Sequence, residues 1–345
     1  MRITLKDIAG KVGISKAAVS MALRNSPRIS QKRREEVQRI ATEMGYAPDP
    51  FLSVLANYRA TKGVPKSQGV IAWINHWDKP RQLRGYREFD LYWRGSRQEA
   101  KRMGYRLDEI LWPTDGSAKL VEQTLLKRGV LGLLIPPHKP NVNWGDFDWS
   151  KFSLMRFGLS VSNPDSNLVT SDHQRAAVMA VKKIHEYGYE RIGLTMSEGH
   201  DRSMGGNYSG GFRWAQKFLK LEFPIPPMQK DLQPAPKSVA EFKAALHKWM
   251  KKYKPDAILN HYIEVPAYLR ALGYRIPQDV AVAGTSVNDI PLDTGIDQHS
   301  KAMGQIAAEM LIKQISLNER GEPPAPCRIL VESRWQDGNT LPPRR

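Results

Sequence analysis

Between residues 70 and 283 the chain repeats one pattern: a short apolar run, then a longer segment whose apolar residues recur at helical spacing. Strands are expected at 70–74, 107–111, 130–135, 153–157, 192–196, 257–259 and 280–283, and helices between several of them at 95–103, 119–127, 175–186 and 237–251. Short apolar strands that alternate with amphipathic helices make a parallel sheet covered by helices. A length of 345 residues fits two or three domains at roughly 100 to 200 residues each.

The chain carries 52 Lys and Arg against 35 Asp and Glu, a net charge of +17, with 41% hydrophobic residues. Those proportions exclude a disordered or fibrous chain. The charge is concentrated: the first sixty residues hold eleven basic side chains and five acidic ones, more than twice the net charge per residue of the remainder. A basic segment attached to a larger body is the footprint of a nucleic-acid-binding module. The single cysteine, Cys327, can form no intramolecular disulfide and no zinc or iron–sulfur site by itself, so a reducing compartment is expected. No stretch reaches the roughly 18 to 20 apolar residues of a membrane span, and the first thirty residues lack an apolar signal core. A cytoplasmic protein with no membrane partner is the expectation.

Local signals organise the basic segment. Thr4 can cap a helix with Asp7 in its first turn, and Ile8, Ala9 and Val12 give that helix an apolar face. Gly13 supplies a tight turn and Ala9 permits close helix approach. Ser15 caps a second helix over 16–24, where Val19, Ala22 and Leu23 share one face while Lys16, Ala17, Ser20, Met21 and Arg24 share the other. Ser30 caps a third helix carrying Val37, Ile40, Ala41 and Met44 at helical spacing, and Gly45 stops it. The result is a three-helix helix-turn-helix unit.

These residues carry a resemblance. Thr4-Leu-Lys-Asp-Ile-Ala, Val12-Gly-Ile-Ser, Val19-Ser20, Asn25-Ser-Pro-Arg-Ile-Ser30 and Met44-Gly-Tyr46-Ala-Pro48 resemble, without gaps from about residue 3 to 57, the DNA-binding head of the LacI/GalR family of bacterial transcription regulators. In that family the second helix lies in the major groove. The resemblance implies that Lys16, Ala17 and Met21 read base edges, that Arg24 reaches a base or a phosphate, and that Thr4, Ser15, Ser20, Ser30 and Tyr46 sit near phosphates. Most members have arginine where this chain has Met21 and asparagine where it has Arg24. Ala17 and Met21 offer methyl contacts, so thymine methyls are expected to matter more here than in arginine readers.

The segment 49–56 can start a helix with Asp49 as cap and Pro50 at its first position, but a helix of about seven residues is unstable alone. It resembles the family's hinge helix, which forms when two subunits meet on DNA; Leu55 falls at the position of the leucine that wedges into the minor groove. Residues 62–68 read as a linker.

The body resembles the two-lobed, periplasmic-binding-protein-like core of the same family, through Arg156-Phe-Gly158, Val169-Thr-Ser-Asp172, residues 186–193, residues 275–284 and Ile296-Asp-Gln298. The implied organisation is a head at 1–48, hinge and linker at 49–66, and a core at 67–345, with one lobe at about 67–170 and 297–324 and the other at about 171–296 and 325–340. In open parallel sheets ligands bind beyond the carboxyl ends of strands. The candidate effector-binding residues there are Asn75, Trp77, Tyr86, Arg156, Asp201, Arg202, Tyr208 and His261. Aromatic faces interleaved with Asp, Asn and Arg suit a carbohydrate. The same aromatic residues also suit a core, and Asp201 with Arg202 also suits a helix cap. Tyr208 stands where the family often has arginine, and Gly284-Thr-Ser-Val-Asn-Asp289 replaces its usual Gly-aromatic-Asp-Asp turn, so the ligand cannot be copied from a relative.

No Walker loop, Gly-x-Ser-x-Gly elbow or His-Glu-x-x-His helix occurs, so no catalytic residue, metal or cofactor is expected. The expected function is a dimeric transcription regulator, a repressor by preference, that binds double-stranded DNA at a near-palindromic operator. A small-molecule effector alters its hinge helices. An activator, a corepressor-dependent regulator and a ligand sensor without a transcriptional role are the alternatives. No leucine heptads that would build a tetramer occur, so a homodimer is expected.

Overall fold

A computed structural model describes residues 3–23, 26, 28–44, 46, 69–77, 79–113, 117–137 and 142–344. Arg24, the hinge expected at 49–66 and its Leu55 lie outside the described residues.

The head consists of α1 (Leu5–Val12), α2 (Lys16–Leu23) and α3 (Gln31–Glu43). Ile8, Val19, Ala22, Val37 and Ala41 form its small core. Gly13 ends α1 in the left-handed region at φ 69°, where its N–H bonds Ala9 O at 2.9 Å. Glycine takes that conformation without the steric penalty a side chain would add. Ser15 Oγ accepts the Ala18 N–H at 3.1 Å and so starts α2.

The first lobe opens with β1 (Gly69–Asn75), α4 (Pro80–Leu83), α5 (Arg87–Arg102) and β2 (Tyr105–Leu111). It continues through α6 (Ala118–Lys127), β3 (Val130–Ile135), β4 (Ser153–Phe157) and β5 (Leu168–Ser171). The second lobe follows with α7 (His173–Glu186), β6 (Ile192–Met196), α8 (Glu198–Ser203), α9 (Asn207–Phe218) and β7 (Met228–Gln229). Its remaining elements are α10 (Pro236–Tyr253), β8 (Ala257–Asn260), α11 (Val265–Ala271), β9 (Ala281–Gly284) and β10 (Gly295–Asp297). The chain then returns to the first lobe as α12 (Ser300–Leu317) and β11 (Arg328–Val331), and closes in the second as β12 (Arg334–Gln336).

Two six-stranded sheets result, ordered β11-β5-β4-β3-β1-β2 and β12-β10-β9-β8-β6-β7. All pairings are parallel except β10 with β12. The apolar runs fold this way because both faces of each sheet are covered. Ile71 and Trp73 enter one core cluster and Ala72 and Ile74 another. In the second sheet Ala257, Leu259, Ala281 and Ala283 face one way and Ile258 and Val282 the other. This is the period-two alternation of a strand with apolar residues at every position.

In the first lobe α5 crosses α12 at the closest spacing. A Cβ on Gly95 would lie 2.0 Å from Lys301 O, and one on Gly304 2.2 Å from Tyr92 O. Ser96 Oγ donates to Gly304 O at 3.0 Å within the same crossing.

Three features differ from the sequence reading. Helix α5 starts at Arg87, eight residues before the expected start at 95, because Phe89, Tyr92 and Trp93 continue the helical spacing into the core. Strands β5, β7, β10, β11 and β12 do not stand out as apolar runs: β7, β10 and β12 have only two or three residues, Thr170 and Ser171 interrupt β5, and Arg328 opens β11. Residues 325–340 do not all belong to the second lobe, since β11 pairs with β5 in the first sheet.

Candidate functional site

The head presents one face of α2 to solvent. Val19 and Ala22 are buried beneath it, Lys16 and Ala17 are exposed, and Ser20 and Met21 are half-buried at its edge. Thr4, Ser15 and Ser30 are exposed and Tyr46 is half-buried against the head core. Thr4 bonds Asp7 through both its backbone N–H and its hydroxyl, each at 2.7 Å, which holds the Asp7 carboxyl below its ordinary range. The exposed groups offer an ammonium, hydroxyls and methyls, a chemistry suited to phosphates and base edges.

The second candidate site lies where the lobes face each other. Glu88, at the second position of α5, reaches residues 286–289 on the loop after β9. Ser286 Oγ donates to Glu88 Oε1, and Asn288 Nδ2 donates to the same oxygen at 3.4 Å. In return Asp289 Oδ1 accepts the Glu88 backbone N–H at 3.3 Å. That N–H belongs to the first turn of α5, which has no partner within the helix, and a carboxylate there also meets the positive end of the helix dipole. Burial pushes the Glu88 carboxyl up to about 7, against the lowering bond from Ser286 and with a further rise from Asp289.

Beside this link stand two buried phenols. Tyr208 OH accepts from Gln298 Nε2 at 3.2 Å, and Gln298 also donates to Thr285 O at 3.1 Å. Burial, with the Glu88 charge second, raises both Tyr92 and Tyr208 above the ordinary phenol range. His173, the first residue of α7, lies 5.0 Å from the Tyr208 ring. His200 on α8 stacks on His261 with ring centroids 4.1 Å apart, and His261 Nδ1 lies 3.1 Å from Thr285 Oγ1. Burial lowers all three imidazoles, His173 to about 4 and His261 well below its ordinary value; His200 further lowers His173 and His261, and His173 lowers His261. At neutral pH the cluster is uncharged. No group of three or more His, Cys, Asp or Glu able to hold a metal ion occurs among the described residues.

A pocket of 320 Å³ opens at the mouth of this cleft. Gln82, Tyr86 and Arg87 line it from the first lobe and Ile263, Asn288 and Asp289 from the second. From Tyr86 a row of rings runs inward through Phe89, Tyr92 and Phe157, with successive centroids 5.4, 5.8 and 5.1 Å apart.

The eight expected effector residues separate accordingly. Tyr86 lines the pocket, and Tyr208 and His261 stand in the buried cluster. Trp77 backs Tyr86 at 5.7 Å while its Nε1 donates to Pro137 O. The other four are engaged within their own lobes. Asn75 spends its amide on Pro80 O, Glu109 and the Trp77 N–H, and so knots the loop after β1. Arg156 turns its guanidinium onto its own following loop, donating to Val161 O, to Ser166 O at 3.0 Å and to Asp165 at 3.3 Å. Asp201 is buried and accepts Ser209 N–H at 3.2 Å and Gln229 Nε2 at 2.8 Å, which anchors the start of α9. Arg202 points outward to Glu198, one turn back on α8.

Glu88, Tyr92, His173, His200 and Ser286 were missed as site residues. His173 directly follows the short β5, and a search of loops after strands reaches it once that strand is recognised. No helix among the described residues is long and apolar enough to cross a membrane.

Comparisons with known proteins agree with this architecture. The family model of bacterial regulatory proteins of the lacI family matches residues 4–49, and that of a periplasmic binding protein-like domain matches residues 181–341. Over 344 residues the chain is 22% identical to the HTH-type transcriptional regulator KdgR of Bacillus subtilis, covering 96% of this chain and 95% of that one. It is 25% identical over 328 residues to the ribose operon repressor of Haemophilus influenzae, covering 90% of this chain and 92% of the relative. A shorter match is denser: 48 residues are 47% identical to the transcriptional repressor CytR of Escherichia coli, covering 14% of each chain. Among solved structures, a transcriptional regulator CelR–cellobiose complex matches with a TM-score of 0.62 at 19% identity, covering 98% of this chain and all of the other. The lac repressor dimer bound to operator and an anti-inducer matches with a TM-score of 0.52 at 18% identity, covering 99% of both chains.

Proposed function

The chain belongs to the LacI/GalR family of bacterial transcription regulators, and from that premise we propose that it is a homodimeric repressor of a near-palindromic operator, controlled by a carbohydrate effector. The observation that carries this reading is the pairing of two surfaces in one chain: the exposed face of α2, and a cleft whose two walls come from different lobes and meet through Glu88 and Ser286. Lys16, Ala17 and Met21 read base edges in the major groove, Arg24 reaches a base or a phosphate, and Thr4, Ser15, Ser20, Ser30 and Tyr46 sit at phosphates. Leu55 of the hinge wedges into the minor groove between two half-sites. The head spans 1–48, the hinge and linker 49–66, and the core 67–345.

An effector held between the lobes changes how they close. It changes DNA affinity only through a difference in its own affinity for the two arrangements. Tyr86, Tyr208 and His261 are its contacts from the expected set. The relatives' names mention ribose and cellobiose, which supports a sugar, and the aromatic row from Tyr86 inward gives a ring face a surface to stack on. The chain is a binding protein rather than an enzyme, and the DNA it reads places it in the cytoplasm. One head buries little surface, so dimerisation supplies the affinity and the salt slope is steep.

The test is selection of bound duplexes from a random library with the full-length protein, repeated for Leu55→Ala. A recovered palindrome with a central pyrimidine–purine step, relaxed in the variant, supports the reading. A single unpaired half-site bound by a monomer overturns it.

A further inference from the structure

Three observations about the cleft go beyond the assignment of an effector site. First, the acid that links the lobes stands on the first lobe at the start of α5, while the loop after β9 offers Ser286 and Asn288 as donors. Second, that acid is only half used. Glu88 is 4% exposed, its Oε1 takes both donors, and its Oε2 has no hydrogen-bond partner among the described residues. Beside Tyr208 the buried His173 Nδ1 is likewise without one among the described residues. A buried polar atom without a partner costs about 1 to 3 kcal/mol, more for a charged group, and a ligand donor removes that cost. Third, the surroundings are aromatic, and the charges that act on Glu88 are carboxyls whose own partners are arginines, Arg87 for Asp289 and Arg334 for Asp297. Asp289 and Asp297 both act on Glu88, the three imidazoles are held neutral by burial, and the ring row from Tyr86 to Phe157 runs alongside.

We propose that Glu88 is the specificity-determining acid of the cleft, and that it selects a sugar-sized polyol presenting an amino group to its free oxygen while excluding ligands that carry phosphate or carboxylate. The inference rests on the reading of the cleft as the effector site. An ammonium donates to Glu88 Oε2 and neutralises a carboxyl that burial otherwise drives towards protonation; the adjoining ring faces favour the same charge. An anion would instead meet the Glu88 carboxyl, which has no ion pair among the described residues: Arg87 acts on Asp289, Arg334 pairs with Asp297 at 2.8 Å, and His173, His200 and His261 bring no positive charge at neutral pH. His173 Nδ1 is then available to a hydroxyl of the same ligand.

The experiment is calorimetry and thermal melting of the full-length protein at pH 7 with matched probes. These are glucose, galactose, mannose and ribose; glucosamine, galactosamine and mannosamine; and glucose 6-phosphate, ribose 5-phosphate, glucuronate and galacturonate. The expected result is that an amino sugar binds most tightly and that no anionic member stabilises the protein. Glu88→Gln then weakens the amino sugar by about tenfold or more, as expected for a bond to a charged partner, and changes binding of the matching neutral sugar less. Ser286→Ala, which leaves Glu88 Oε2 in place, is the control that separates ligand recognition from lobe packing. Circular dichroism of each variant establishes folding. An anionic probe that binds more tightly than its amino counterpart, an unchanged affinity in Glu88→Gln, or no binding by any probe overturns the inference. Duplex selection without a sugar reports on the function separately: a recovered operator together with a bound phosphate sugar leaves the regulator intact and removes only this inference.

Discussion

Ser286 and Glu88 join the two lobes through one hydrogen bond, with the Ser286 hydroxyl donating to Glu88 Oε1 across residues that stand 198 apart in sequence. Asp289 reinforces the link by accepting from the backbone of the same glutamate. Closure of the cleft is thereby tied to the ionisation of one buried carboxyl.

The pH dependence of that link has a definite sign. The Glu88 carboxyl rises from 4.5 to about 7 on folding, first through burial, so its contribution to stability is fully present below 4.5 and is lost as pH rises through about 7. The groups that set this are Ser286 and Asn288, which lower it, and Asp289 and Asp297, which raise it. Over that window the contribution falls by up to roughly 3 kcal/mol. Glu88→Gln, which is neutral at every pH, removes this component. Urea unfolding of the two proteins at pH 5, 6, 7 and 8 measures it, and parallel stability curves would refute it.

The histidine cluster acts in the opposite sense. Burial lowers His173 from 6.5 to about 4, so the stability it contributes is fully present above 6.5 and is lost as pH falls through about 4. His200 and His261 shift in the same direction, and His200 depresses both of the others. Acidification from pH 6.5 to 4 therefore loosens the second lobe over the range in which protonation of Glu88 relieves the cost of burying its charge. His173→Phe keeps the ring beside Tyr208 and cannot charge. Its melting temperature falls less steeply below pH 6.5 than that of the unaltered protein, and an equal slope would count against the assignment.

These groups explain what a sequence can and cannot disclose. The strand expected at 70–74 is the interior of Gly69–Asn75, and its legibility has a physical cause: both sheet faces are covered, so Ile71, Ala72, Trp73 and Ile74 are all apolar. The head was equally legible, because Gly13, Ser15 and the apolar faces of its helices are local signals. The cleft was legible only in part. Asp201 and Arg202 adjoin in sequence, yet successive residues of a helix point about 100° apart, and one is buried while the other meets solvent at Glu198. Arg156 resembles a ligand-binding arginine until the loop that consumes its hydrogen bonds is seen. Glu88 went unnoticed because its importance comes from a partner on another lobe and from burial, and neither leaves a periodic trace.

Packing gives a sharper mechanical expectation. Gly95→Ala drives a Cβ to 2.0 Å from the Lys301 carbonyl oxygen, a backbone atom that cannot move without shifting α12. The cost is expected to be at least about 3 kcal/mol. Gly210, exposed within α9, has no atom within 4 Å of an added Cβ, and Gly210→Ala should stabilise by about 0.5 to 1 kcal/mol through helix propensity. Denaturant unfolding of the two variants distinguishes them, and a tolerated Gly95→Ala would show that the two helices can separate.

Specificity of the head turns on two apolar side chains. Ala17 is exposed on α2 and Met21 stands half-buried one turn further along, while Lys16 is the flanking cation. Methyl groups facing the major groove distinguish thymine from cytosine by its C5 methyl, and each such position is worth about 1 to 3 kcal/mol of discrimination. At least one thymine per half-site should therefore resist replacement by cytosine, while substitution by 5-methylcytosine restores part of the apolar contact. Met21→Arg exchanges that preference for guanine through its O6 and N7 acceptors and steepens the dependence of binding on salt. Quantitative band-shift titration of each half-site substitution against both proteins measures this. A half-site in which every thymine accepts cytosine without loss would show that Ala17 and Met21 do not face the bases.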